Sequence, residues 1–219
     1  KVENSLAKGS TIIFTTGFLA NAVNGEKLAE LAGVEYPIVV KHQKATHIVE
    51  NNSYVKLEKE LDLESKISVK DAEIILTAAG KNKIPFLIRS KNTETSIYTL
   101  NTHTFSQKDF DKVGEVLLCP RQLGLLDLPR SWTNKIRESF NSGLNIHLDA
   151  PSRVVIQPIG NLGWIFHNYN KTETTISFTS DKIVNAKLIN GLTGGEFNHS
   201  GNNITLNLKP RSRIFVKIN

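Results

Sequence analysis

The sequence predicts an α/β region followed by an all-β region. The first is a partial, partly parallel sheet with helices over residues 1–143, and the second is a small antiparallel β-sandwich over residues 144–219. Three observations lead there. Thr11–Phe14 is a β-rich apolar run without polar alternation, as expected of a strand covered on both faces. Helical periodicity is confined to Gly25–Ala32 and to the segment from Pro129 to Phe140, and it disappears after Gly143. Beyond that glycine, about seven short apolar runs are separated by turn formers, the pattern of a sandwich.

Composition sets the limits. The 219 residues are 39% hydrophobic and 22% charged, ordinary for a globular protein, which argues against disorder. No apolar run approaches the roughly 20 residues that cross a bilayer, so no membrane span is expected. The net charge of +6 comes from 27 basic and 21 acidic residues. Its densest cluster, Lys209, Arg211 and Arg213 beside Pro210, falls in a turn before the last strand. Such a group reads as solvated surface before it reads as a polyanion site, and no nucleic-acid partner is expected. The chain opens on Lys1 and contains no Met, and Val2 to Lys8 reads as the last turns of a helix. Both features suggest a piece of a longer protein. The single cysteine, Cys119, excludes an internal disulfide.

In chain order, Gly9 closes the opening helix and Thr11–Phe14 ends at the small-residue turn Thr15-Thr16-Gly17. Asn24 is placed to cap a helix over Gly25–Ala32 that Gly33 stops, with Leu28, Leu31 and Ala32 on one face. Tyr36–Val40 reads as a strand. From about 41 to 70, apolar residues alternate with charged ones (Val55 and Leu57, Leu61 and Leu63, Ile67 and Val69), which predicts half-exposed strands in a β-rich insertion or an antiparallel extension of the sheet. Ala72–Ala78 is a further apolar run. Ile84–Arg89 and Ser96–Leu100 flank a polar tip and form a hairpin, with Pro85 pointing to an edge or first position. Ser106–Gly124 is a poorly patterned connection. Asp127 then caps a helix with Pro129 in its first turn and Trp132, Ile136 and Phe140 at intervals of four. Leu144–Ala150 is the junction. The sandwich strands are drawn from Ile146 and Leu148, Val154–Ile156, Leu162–Phe166, Ile176 and Phe178, Ile183–Ile189, Ile204–Leu208 and Ile214–Ile218.

No complete catalytic motif is present, and no catalytic residue, metal or cofactor is assigned. The first strand end lacks the nucleophile and glycine elbow of a hydrolase. Cys119-Pro120 stands in the unpatterned connection, and the glycines of 191–195 lie between strands, not ahead of a helix. His42 and His47 are five apart with no third ligand in register, so they read as surface residues. The candidate ligand-binding residues are positional. Thr15, Thr16, Asn101 and His103 would ring the carboxyl edge of a parallel sheet, where ligands bind, or else cap strand ends. Trp164 and Tyr169 could offer a sugar face, although Trp164 within Leu162–Phe166 also reads as core between sheets. Trp132 at its helical spacing reads the same way.

The order of parts has a family likeness. AKGSTIIFTTGFL, LAELAGVEY and IPFLIRSKNTETSIYTLNTHTF resemble the back half of a class I glutamine-amidotransferase-like, flavodoxin-like domain of the kind that follows the barrel in certain bacterial β-galactosidases. WIFHNYNKTETTISF and NNITLNLKPRSRIFVKI resemble the hairpin and closing strands of the small sandwich that ends such enzymes. The resemblance implies a non-catalytic structural and assembly module from the C-terminal part of a glycoside-hydrolase-type protein. Its partners would be other domains of the parent chain, a second copy of itself, or carbohydrate. It also implies a periplasmic or extracellular setting. The alternatives are a carbohydrate-binding module and a small hydrolase that uses the strand-end cleft.

Overall fold

A computed structural model describes residues 10–91, 95–102 and 127–219. The described residues are mostly strand with few helices, and contacts divide the chain into two compact units, Lys1–Leu128 and Pro129–Asn219.

The first unit is built on one six-stranded sheet. In chain order it contains β1 (Thr11–Thr15), α1 (Thr16–Asn21), α2 (Gly25–Ala32), β2 (Val39–Glu50), β3 (Ser53–Lys66), β4 (Ala72–Ala79), β5 (Lys83–Ser90) and β6 (Ser96–Leu100). The strand order is β1-β6-β5-β4-β2-β3. Only β1 and β6 pair in parallel, and the other four pairings are antiparallel.

This arrangement changes which strand is covered on both faces. β1 is an edge strand, and Ile13 is 39% exposed. The covered strand is β5, where Ile84, Phe86, Leu87 and Ile88 are all buried. A short apolar run does not reveal which of these two places it will take. Pro85 accordingly sits in an interior strand. It is tolerated because the β4–β5 register slips between Leu76 and Thr77, and Thr77 is the residue opposite Pro85.

The α2 boundaries follow the local signals. Asn24 precedes the helix without making a side-chain cap bond, and Gly33 closes it at φ +71°. A side chain at Gly33 would place its Cβ 2.5 Å from the Asp71 carbonyl oxygen, so both conformation and space call for glycine. Phe14, Leu19, Leu28, Ala29, Ala32, Ile88 and Ile97 form the core under the two helices.

The β-rich region from 41 to 70 is a hairpin of two long strands. It turns at Asn51 and Asn52, both at positive φ, the geometry a two-residue hairpin loop requires. The strand expected at Tyr36–Val40 starts at Val39 instead.

The second unit begins with α3 (Arg130–Phe140), followed by β7 (Ile146–Asp149), β8 (Val154–Pro158), β9 (Gly163–Asn168), β10 (Thr174–Ser180), β11 (Leu188–Asn190), β12 (Glu196–Phe197), β13 (Asn203–Leu208) and β14 (Arg213–Ile218). A three-stranded sheet β13-β10-β7 and a five-stranded sheet β12-β11-β14-β9-β8 share one core. Trp164 and Phe166 meet Phe178 edge-on in that core, at 4.8 and 5.1 Å. The expected strand Ile183–Ile189 is divided into a 3-10 turn, Asp181–Ile183, and β11.

Helix α3 joins the sandwich unit through Arg137. Its guanidinium donates to the Ala150, Pro151 and Val154 carbonyls, and the Asn134 side chain accepts from the Ala150 N–H. These bonds explain why the contacts divide the chain before Pro129, whereas helical periodicity draws the line after Gly143. Burial, with Arg130 adding repulsion, pulls the Arg137 guanidinium down to about 10, so it is still a cation at neutral pH. Pro129 occupies the cap position of α3. The expected cap residue, Asp127, pairs instead with Lys59 at 2.9 Å.

Candidate functional site

The candidate site is the carboxyl end of the parallel pair β1 and β6. The backbone places Thr15 and Thr16 at the end of one strand and Asn101 and Thr102 just past the end of the other. Thr15 caps α1, its hydroxyl accepting from the Phe18 N–H at 3.2 Å. Thr16 is fully buried. Its hydroxyl donates to the Thr102 carbonyl at 2.8 Å and accepts from the Thr102 N–H at 3.1 Å.

Asn101 is also fully buried. Its side-chain oxygen accepts from the Glu64 N–H at 2.9 Å, and its amide nitrogen donates to the Glu64 carbonyl at 2.9 Å and the Pro85 carbonyl at 2.8 Å. The side chain therefore imitates a strand partner for the Glu64 peptide groups, and it ties the end of β6 to β3, four places away in the sheet order.

Beside it, the Glu64 carboxylate has no exposed surface. It accepts from the Lys41 N–H at 2.8 Å and lies 3.3 Å from His42 Nδ1. A buried carboxylate and an imidazole are the raw material of acid–base chemistry, but here backbone and neighbouring side chains take up the carboxylate oxygens. The arrangement fastens β2, β3, β5 and the end of β6 together.

The site thus gathers Thr15, Thr16 and Asn101 from the predicted set and adds Thr102 and Glu64. His103 lies outside the described residues, as does the connection Ser106–Gly124 with Cys119 in it. Trp164 belongs to the second unit, where it is 3% exposed and packed on Phe178. Trp132 is 1% exposed. Of the two roles open to each tryptophan, both take the inward one. Glu64 had no sequence signal, because an acid alternating with leucines reads as facing water.

His42 and His47 go to different partners: His42 to Glu64, and His47 to Thr46 and the edge of the Tyr54 ring. Among the described residues, no three His, Cys, Asp or Glu side chains are grouped as a metal ion would require. No described helix is long and apolar enough to cross a membrane. Two of the surface concavities among the described residues stand apart from the strand ends. One is a notch of about 650 Å³ beside α2, lined by Glu26, Glu30, Tyr36, Lys70 and Asp71 among others. The other is a groove of about 470 Å³ in the sandwich unit, between His167, Tyr169, Arg211 and Arg213.

Compared with known proteins, the chain matches no family model and no curated sequence. Solved structures do resemble it. The structural neighbours are β-galactosidases. One is a catalytic mutant of Gan42B, a GH42 β-galactosidase from G. stearothermophilus, at 11% identity and a TM-score of 0.42 over 99% of this chain. Another is a polyextremophilic β-galactosidase from the Antarctic haloarchaeon Halorubrum lacusprofundi, also at 11% identity and a TM-score of 0.42 over 99% of this chain. The chain spans 29% of the first neighbour and 28% of the second.

Proposed function

We propose that the chain is a non-catalytic structural and assembly module of a larger, glycoside-hydrolase-type protein. One observation carries the non-catalytic part. The polar side chains at the strand ends, Thr16 and Asn101, are bonded to the chain's own backbone and hold strands in place. The carbohydrate class, a flavodoxin-like origin for the β1–β6 corner, and a periplasmic or extracellular setting come from the sequence resemblance. They belong to the proposal on those terms, as do other domains of the parent chain and a second copy as partners. The extents 1–143 and 144–219 remain the proposed domains, with α3 bonded to the sandwich unit through Arg137.

A turnover assay tests the reading. The 219-residue chain is incubated with a panel of aryl glycosides, and no release of the aryl alcohol above the uncatalysed rate is expected. Saturable hydrolysis that disappears in Glu64→Gln, while the far-ultraviolet circular dichroism is retained, would overturn it.

A further inference from the structure

We propose that the groove between His167, Tyr169, Arg211 and Arg213 binds an anionic sugar, one whose ring lies on Tyr169 and whose carboxylate or sulfate meets the two guanidinium groups. The inference rests on this groove alone and not on the assembly reading above.

Four observations converge on the groove. First, the His167 and Tyr169 rings stack at 5.8 Å with their planes 10° apart, while Tyr169 is 61% exposed, so the pair presents a flat face to water. Second, His167 and Arg213 are cross-strand partners on β9 and β14, and both line the groove with Tyr169. Third, among the described residues neither Arg211 nor Arg213 takes part in an ion pair. Two cations therefore face one groove without a carboxylate to answer them. Fourth, Arg211 sits at φ +47°, which strains any residue with a side chain and which glycine or asparagine would adopt more easily. A strained turn position filled by a long cation points toward function.

The groove is also built in advance. The Arg211 N–H donates to the Asn170 carbonyl, the Asn168 N–H to the Ser212 carbonyl, and the Tyr169 N–H to the Arg153 carbonyl. The Asn168 side chain donates to the Thr172, Leu208 and Lys209 carbonyls and accepts from the Asn170 N–H. The turns on either side of Tyr169 are thus fixed before any ligand arrives, which lowers the entropy lost on binding.

The shape selects among anions. Guanidinium groups match carboxylate and sulfate oxygens in a planar fork. A bare anion has no use for the aromatic face, and a neutral sugar has none for the two arginines. Single-stranded nucleic acid stacks successive bases on several platforms along a charged track, whereas this groove has one ring pair.

Isothermal titration calorimetry of the 219-residue chain with tetragalacturonate tests the proposal, with neutral galactotetraose, sodium sulfate and an oligothymidylate as comparisons. The expected result is saturable binding of tetragalacturonate, tighter than each comparison by about tenfold or more, one charge-assisted contact being worth about that much. Arg211→Gly and Tyr169→Ala should each weaken it by about tenfold. Arg211→Gly also answers the folding objection, because glycine suits the backbone there and the melting temperature should not fall. Four results would overturn the proposal: no saturable uptake of tetragalacturonate, equal uptake of the neutral tetramer, sulfate or oligothymidylate binding as tightly, or unchanged affinity in both variants. None of these would bear on the aryl glycoside assay.

Discussion

The two units stabilise their sheets in different ways. In the first, the ladders are irregular: the β2–β3 register shifts twice, and so does β4–β5. In the sandwich, β10–β13, β9–β14 and β8–β9 run without a shift. Buried polar side chains bond backbone in both units. In the first, Asn101, Glu64 and Thr16 do so around the six-stranded sheet; in the sandwich Asn168 does so at the end of β9, and the middle is filled by Trp164, Phe166 and Phe178. A broken ladder leaves peptide groups that must find partners elsewhere, and a side-chain amide with donor and acceptor side by side can provide them. Polar residues at a strand end are thus as much a sign of an interrupted sheet as of a binding cleft.

That contrast can be tested from both sides. The largest effect is expected from Phe178→Ala, which empties the centre of the sandwich and should cost about 3–5 kcal/mol. A urea titration followed by tryptophan fluorescence would measure it, since Trp164 lies against the deleted ring. A loss well under 1 kcal/mol would mean the aromatic core is not what holds that unit together. Next is Asn101→Leu, branched in the same way though bulkier, and without the amide. It leaves the Glu64 N–H and the Pro85 carbonyl without their side-chain partner, at a cost of roughly 2–4 kcal/mol. A neutral outcome would remove the distinction between the units.

The smallest effect concerns pH. The hydrogen bond from the Arg130 guanidinium holds the Asp149 carboxyl below its ordinary value of 3.8; burial opposes it, and the Asn134 amide adds to the lowering. A carboxyl depressed by folding contributes stability that is present above the unfolded value and lost as pH falls through the folded one. The contribution should therefore fade only below about pH 4. The pair is about half exposed and screened, so it is worth less than about 1 kcal/mol. Acid titrations of the native chain and Asp149→Asn, compared by circular dichroism, should differ slightly there and converge at the acid extreme.

Much of the secondary structure was legible from local chemistry. Gly33 and the leucine spacing fix α2 because a left-handed stop and an amphipathic face act within a few residues. The alternation Ile204-Thr205-Leu206-Asn207-Leu208 marks β13 because a sandwich strand has one wet face and one dry face. The turn at Asn51-Asn52 is equally local, but the alternation around it does not show where one strand ends and the next begins. The candidate site was legible only by position. Asn101 stands where a ligand-binding residue would stand, and nothing in its neighbours shows that its amide completes the hydrogen bonding of a strand 37 residues earlier.

What the sequence determined by itself is what short-range forces decide: the α2 boundaries, most of the sandwich strands, and the change from mixed to all-strand structure. Tertiary structure decided which strand is covered on both faces, how Pro85 is accommodated, and which way Glu64 faces. The physical reason is that burial depends on what arrives from far along the chain. A residue's own neighbours set its conformation, and only its distant partners set whether water reaches it.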